Sequence, residues 1–85
     1  MAEEKLTMNV KVYAPFEVFF EGTAYSVSAV NDVGPFDILP HHRSFLSMLA
    51  PCNIIIETPE GRKGVHVDKA LMHVRFDRVV VFVNV

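Results

Sequence analysis

Residues 8–12, Met8-Asn9-Val10-Lys11-Val12, alternate apolar and polar side chains one by one, and the same period of two returns in short runs along most of the chain. An extended backbone points successive side chains to opposite faces, so each such run buries one face and hydrates the other. Pro15, Pro40, Pro51 and the Pro59-Glu60-Gly61 triplet cut these runs with turn chemistry. No apolar set recurs at the spacing of a long amphipathic helix. Read this way, strands are expected over residues 8–12, 16–20, 25–29, 36–39, 52–58, 62–67, 71–76 and 79–85. Residues 43–49 read as a further strand or an irregular extended segment, since a proline precedes and follows them. Glu21-Gly22 is expected to close the second strand, Asn31-Asp32 to turn the third, and Asp77-Arg78 to link the last two as a hairpin. About nine short strands with such punctuation predict an all-β fold, an antiparallel β-sandwich or flattened barrel.

A chain of 85 residues supports one domain with one core. That domain is expected over residues 8–85, behind a flexible amino-terminal stretch at 1–7. Apolar residues make up 51% of the chain, which leaves little polar surface to cover both sides of every sheet. Ile54-Ile55-Ile56 and Val79-Val80-Val81-Phe82-Val83 break the alternation and are apolar on both faces. Such a run belongs either to a strand covered on both sides by its own fold, or to a sheet face that another protein covers. The formal net charge of −2, without a Lys/Arg cluster, removes the electrostatic attraction on which nucleic-acid binding rests. A single cysteine permits no intrachain disulfide and fits a reducing compartment. The mixed-charge start MAEEKLT has no signal-peptide core, and no apolar run reaches the roughly 20 residues of a spanning helix.

Residues able to do chemistry are scattered. His41 and His42 are adjacent, so an extended chain would send them to opposite faces, and with His66 and His73 they form no recognised zinc pattern. Cys52 opens an apolar strand and reads as buried packing, with nothing to mark an oxyanion hole or an orienting carboxylate. Asp32, Asp37 and Glu57 read as solvated carboxylates in turns or on polar strand faces. Gly61 and Gly64 bracket only Arg62-Lys63, and no phosphate-cradling loop occurs. No metal, cofactor, nucleotide or catalytic site is expected.

The segment 34–49, GPFDILPHHRSFLSML, resembles the G-x-(F/L)-G-I-L-P-G-H-x-P-L-L stretch of the amino-terminal β-sandwich in the epsilon subunit of F-type ATP synthase, called delta in mitochondria. Residues 12–22, VYAPFEVFFEG, resemble that family's opening strand pair, in which V-x-(S/T)-P is followed by a phenylalanine and a glycine. Residues 65–82 resemble its closing hairpin. Asp37, His41, Cys52 and Lys69-Ala70 stand where the family usually has glycine, which implies adjusted turns at those points.

What the resemblance implies is a mechanical part. The chain would be a non-catalytic rotor subunit of the central stalk, linking the gamma subunit to the c-ring and helping couple proton flow to ATP synthesis. It would sit peripherally on the cytoplasmic, matrix or stromal side of the energy-coupling membrane. The turn formed by Asn31, Asp32, Val33, Gly34, Pro35 and Phe36 would correspond to the loop that meets the c-ring, with Val33 and Pro35 where acidic residues are often found. His42 would match the histidine on the gamma-facing side. The family's carboxy-terminal helical hairpin, which restrains ATP hydrolysis and in some members binds ATP, has no counterpart in these residues, so the chain is expected to lack that switch. Two other classes compete: a stand-alone protein-interaction module derived from the same sandwich, and a small ligand-binding barrel or enzyme with a closed pocket.

Overall fold

The computed structural model describes residues 6–83, and within them every regular element is a strand. Nine strands follow one another: β1 (Met8–Ala14), β2 (Glu17–Ala24), β3 (Ser26–Asn31), β4 (Gly34–Ile38), β5 (His42–Leu49), β6 (Cys52–Thr58), β7 (Gly61–Val67), β8 (Ala70–Phe76) and β9 (Arg78–Val83). They form a five-stranded sheet in the order β2-β1-β9-β8-β5 and a four-stranded sheet in the order β4-β3-β6-β7. The expected β-sandwich is thus what the chain folds into. One pair departs from the antiparallel rule: β9 lies parallel to β1, with Val10 opposite Val79 and Val12 opposite Val81. The last strand closes the sheet by entering between β1 and β8.

The core is the buried phase of each strand. Val10 and Val12 from β1, Met72 and Val74 from β8, and Val79 and Val81 from β9 face Val27, Ile54 and Ile56 of the other sheet, all buried. Interdigitation of two such β-branched faces is what makes a sandwich stiff. The sole buried polar residue among those described, Thr58, is satisfied: its Oγ1 donates to the Gly61 carbonyl at 2.6 Å and accepts from the Glu60 N–H at 3.1 Å. That bond pair fastens the β6–β7 hairpin turn.

Several expected boundaries move. Gly22 does not close the second strand, because β2 continues to Ala24 with Gly22 opposite Val10. The strand read at residues 25–29 runs over Ser26–Asn31. Segment 43–49 is a strand, β5, paired with β8 through a register shift between His42 and Phe45. The last hairpin turns one residue earlier than expected: Arg75 pairs with Arg78, so the reversal falls at Phe76, the last residue of β8, and Asp77. Phe76 has φ +53°, a left-handed conformation that places the reversal there. Expectations for residues 1–5 and for a last strand reaching 84–85 fall outside the described residues.

Because β1 and β9 are parallel and the remaining pairs antiparallel, the turns collect at two ends. One end carries Pro15-Phe16, Asp32-Val33 and Ala50-Pro51. The other carries Leu39-Pro40-His41, Pro59-Glu60 and Phe76-Asp77. Backbone bonds tie the sheets at both: Ala50 N–H to the Val30 carbonyl at 2.8 Å, and Tyr25 N–H to the Glu57 carbonyl at 2.7 Å.

The apolar run in β9 distinguishes core from surface by phase, since Val81 is buried while Val80 points outward and is half-buried. Ile56→Ala should therefore lower unfolding free energy by about 3 kcal/mol through lost burial and a cavity. Val80→Thr should stay within about 1 kcal/mol. Urea denaturation of both variants checks the assignment.

Candidate surfaces for partner binding

The six residues expected to form one loop divide between two strands and a short turn. Asn31 ends β3, Asp32 and Val33 make the reversal, and Gly34, Pro35 and Phe36 belong to β4, where they pair with Asn31, Val30 and Ala29. Asn31 organises the turn: its Oδ1 accepts the backbone N–H of Val33 at 2.9 Å and of Gly34 at 3.2 Å, while its amide donates to Ser47 Oγ of β5 at 3.1 Å. This side chain substitutes for a backbone turn and anchors it to the other sheet. Gly34 adopts φ +135°, a region closed to residues with a Cβ, which absorbs the twist that Asp32 and Val33 do not. Val33 is left at the tip, 91% exposed, whereas Phe36 turns inward and packs against Phe45 at a centroid distance of 5.4 Å. The exposed element is therefore Asp32-Val33 with Pro35.

His42 lies elsewhere. It opens β5 at the opposite end of the sandwich, separated from the turn by the length of β4, about 13 Å at 3.3–3.4 Å per residue. Its Nδ1 bonds the Arg43 carbonyl at 2.7 Å and its ring meets the edge of Phe45 at 5.8 Å. The structure does not bring the loop and this histidine together. Any joint role has to be played toward two partners or two parts of one.

His41 is not extended, so the expected opposition of two adjacent imidazoles does not apply. With φ +66° it adopts a left-handed conformation, and its ring stacks flat on Phe76 at 4.4 Å and 6°. Of the altered glycine positions this is the only one with positive φ. Asp37 sits in regular strand, where it accepts the Ser28 hydroxyl at 2.6 Å, and Cys52 and Ala70 begin strands. Cys52 is half-buried rather than fully buried.

The two outer faces contrast in chemistry. Over the four-stranded sheet, polar pairs satisfy one another: Ser28 with Asp37, Arg62 with Glu57 at 2.7 Å, and His66 with Asn53 at 2.9 Å. Over the five-stranded sheet, cross-strand register aligns Val18, Tyr13, Phe82, Leu71 and Met48 in one row, all outward and at least partly exposed. Sequence reading did not name this row. The signal for it was the apolar occupation of β9's outward positions, but the alignment across five strands needs register that no single strand contains. Among the described residues no three or more His, Cys, Asp or Glu side chains converge in a way that could hold a metal ion.

A profile described as the ATP synthase delta/epsilon chain β-sandwich domain matches residues 7–85. Among curated proteins, an ATP synthase epsilon chain from Nitratiruptor sp. is 39% identical over 67% of this chain and 44% of its own length. One from Clostridium novyi is 30% identical over 88% of this chain and 58% of its own. The chain thus spans about half the length of these relatives. Among solved structures, the Euglena gracilis mitochondrial ATP synthase assembly of OSCP, F1 and c-ring contains a chain superposing at TM-score 0.83, with 15% identity, over 91% of this chain and 50% of its own. The Tetrahymena thermophila mitochondrial ATP synthase central stalk and c-ring contains another, at TM-score 0.74 and 17% identity, over 95% and 66%. At these identities the superpositions speak for the fold.

Two outcomes follow from the turn geometry. Asn31→Ala, which strips acceptor and donor together, should cost about 1–2 kcal/mol in urea denaturation, while Asn31→Asp, which keeps the acceptor, should cost less. His41→Ala should lose about 1 kcal/mol of stacking with no relief of backbone strain, and His41→Gly should be the more stable of the two by about 0.5–1 kcal/mol.

Proposed function

The chain belongs to the ATP synthase delta/epsilon β-sandwich family, and from that membership we propose that it serves as a non-catalytic rotor subunit of an F-type ATP synthase central stalk. The observation that carries this reading is the match of the sandwich domain along residues 7–85, joined by relatives that bear the name ATP synthase epsilon chain. The partners are the gamma subunit and the c-ring, and the protein sits peripherally on the side of the energy-coupling membrane that carries F1. No helix of the described structure is long and apolar enough to cross a membrane.

The physics of the fold supports the role. A rotor part has to transmit torque without storing it, and two β-sheets locked by an interdigitated valine and isoleucine core deform little. It also has to hold two partners at once. The Asp32-Val33 turn with Pro35 occupies one end and His42 the other, so the c-ring and gamma contacts are separated along the long direction of the strands. Asn31 stiffens the first contact through its three hydrogen bonds, and the Phe36, Phe45 and His42 ring cluster backs the second.

Cysteine crosslinking tests the arrangement. In a Cys52→Ser background assembled with gamma and the c-ring, Val33→Cys should crosslink to the c-ring and His42→Cys to gamma. Absence of both crosslinks in a chain that remains folded would favour the stand-alone interaction module, and exchange of the two partners would reverse the polarity assigned to the sandwich.

A further inference from the structure

We propose that Phe76, at the β8–β9 reversal, is a positioning residue for His42, holding that imidazole so that its Nε2 is offered as a hydrogen-bond acceptor to an N–H or O–H group of the partner docked there. That partner is gamma, and on this point alone the inference rests on the stalk reading. The backbone singles Phe76 out. Among the described residues, His41 and Phe76 are the only non-glycine residues with positive φ, at +66° and +53°. A left-handed backbone is unfavourable for a side chain as bulky as phenylalanine, and such conformations persist where surrounding contacts over-determine them, most often at working sites. Burial does not account for this one, since Phe76 is 58% exposed. Its ring instead lies flat on that of His41, 4.4 Å between centroids and 6° between planes.

His42 needs such a hold because the sheet does not supply one. It opens β5 after a connection from the other sheet, and its pairing with Phe76 is the first step of the β5–β8 ladder. The ladder then breaks: the next pair is Phe45 with Val74, so Arg43 and Ser44 of β5 stand against Arg75 alone. A bulge of this kind re-aims side chains and separates His42 from the regular register beyond it. Phe76 makes up for the break. Its backbone faces His42 and its ring clamps His41, so both residues of the His41-His42 peptide are held from one place. On the other side, the His42 ring meets the edge of Phe45 at 5.8 Å, and Phe45 packs on Phe36 of the opposite sheet at 5.4 Å.

The hold has a chemical consequence. His42 Nδ1 lies 2.7 Å from the Arg43 carbonyl oxygen, and a carbonyl only accepts, so Nδ1 carries the hydrogen. In the neutral ring Nε2 is then left with its lone pair, and no described residue bonds it. A loosely held imidazole would pass between tautomers and rotamers, whereas this one meets a donor with both already chosen, which lowers the entropic cost of docking.

Tautomer and docking are measured separately. In the free chain at alkaline pH, long-range proton–nitrogen NMR correlations of the histidine rings should show His42 in the Nδ1–H form, assigned by its loss in His42→Gln. Phe76→Leu and, from the opposite side of the stack, His41→Ala should each cut the share of that form at least about twofold, and Phe76→Tyr, which keeps the ring, should retain it. Melting transitions above the assay temperature show that the variants fold. A wild-type His42 in the Nε2–H form, or an unchanged tautomer in either stack variant, would overturn the proposal. With gamma as the probe, Phe76→Leu should weaken binding at least about fivefold and Phe76→Tyr should restore it, while Val33→Cys still crosslinks to the c-ring. Equal affinity of the wild-type chain and Phe76→Leu also overturns the proposal. Failure of the wild-type chain to bind gamma removes the stalk reading instead, and the tautomer then decides the positioning by itself.

Discussion

Placement of β9 between β1 and β8 is the constraint on which the rest of the structure depends. Its buried phase, Val79, Val81 and Val83, occupies the middle of the larger sheet, where residues 78–82 have strand partners on both sides. Because β9 pairs in parallel with β1 and antiparallel with β8, it also sets the register that connects the first hairpin with the last. A slip of one residue would turn Val80 and Phe82 inward and expose Val79 and Val81. The rows of the outer face and the gathering of turns at two ends are consequences of that single register.

Stiffness and asymmetry then come from different layers of the same body. The inner faces are closed by packing and leave no buried side-chain donor or acceptor unsatisfied among the described residues. The outer faces diverge, one self-satisfied by Ser28-Asp37, Asn53-His66 and Glu57-Arg62, the other apolar and cationic. In the proposed rotor role a sandwich has to be inert where it meets water and adhesive where it meets protein. This division supplies both without a moving part.

Much of the architecture was legible in the chain. The phase of Met8-Asn9-Val10-Lys11-Val12 is the phase of β1, and the proline and glycine positions mark most strand ends. Less legible were features in which a residue's conformation answers to something distant. Phe76 takes the left-handed conformation at the β8–β9 reversal, and its ring stacks on His41 from the connection between the two sheets. Gly22 continues a strand that local rules would end there, because β1 offers it a pairing partner. Asn31 was recognisable as a turn residue, but its tie to Ser47 was not, since sixteen positions separate them.

Alternation and punctuation alone determine that this chain is all-β, a sandwich or a flattened barrel, because both bury one face of every strand and no helical period competes. Motif likeness adds the family. What the tertiary structure alone decided is where the surfaces lie: that the Val33 turn and His42 stand at opposite ends, and that Val18, Tyr13, Phe82, Leu71 and Met48 form one row with Arg75 and Arg78 beyond it. Those relations depend on which strands neighbour one another and in which register, and hydrogen-bond pairing between remote segments is a property of the folded sheet that no local stretch of sequence encodes.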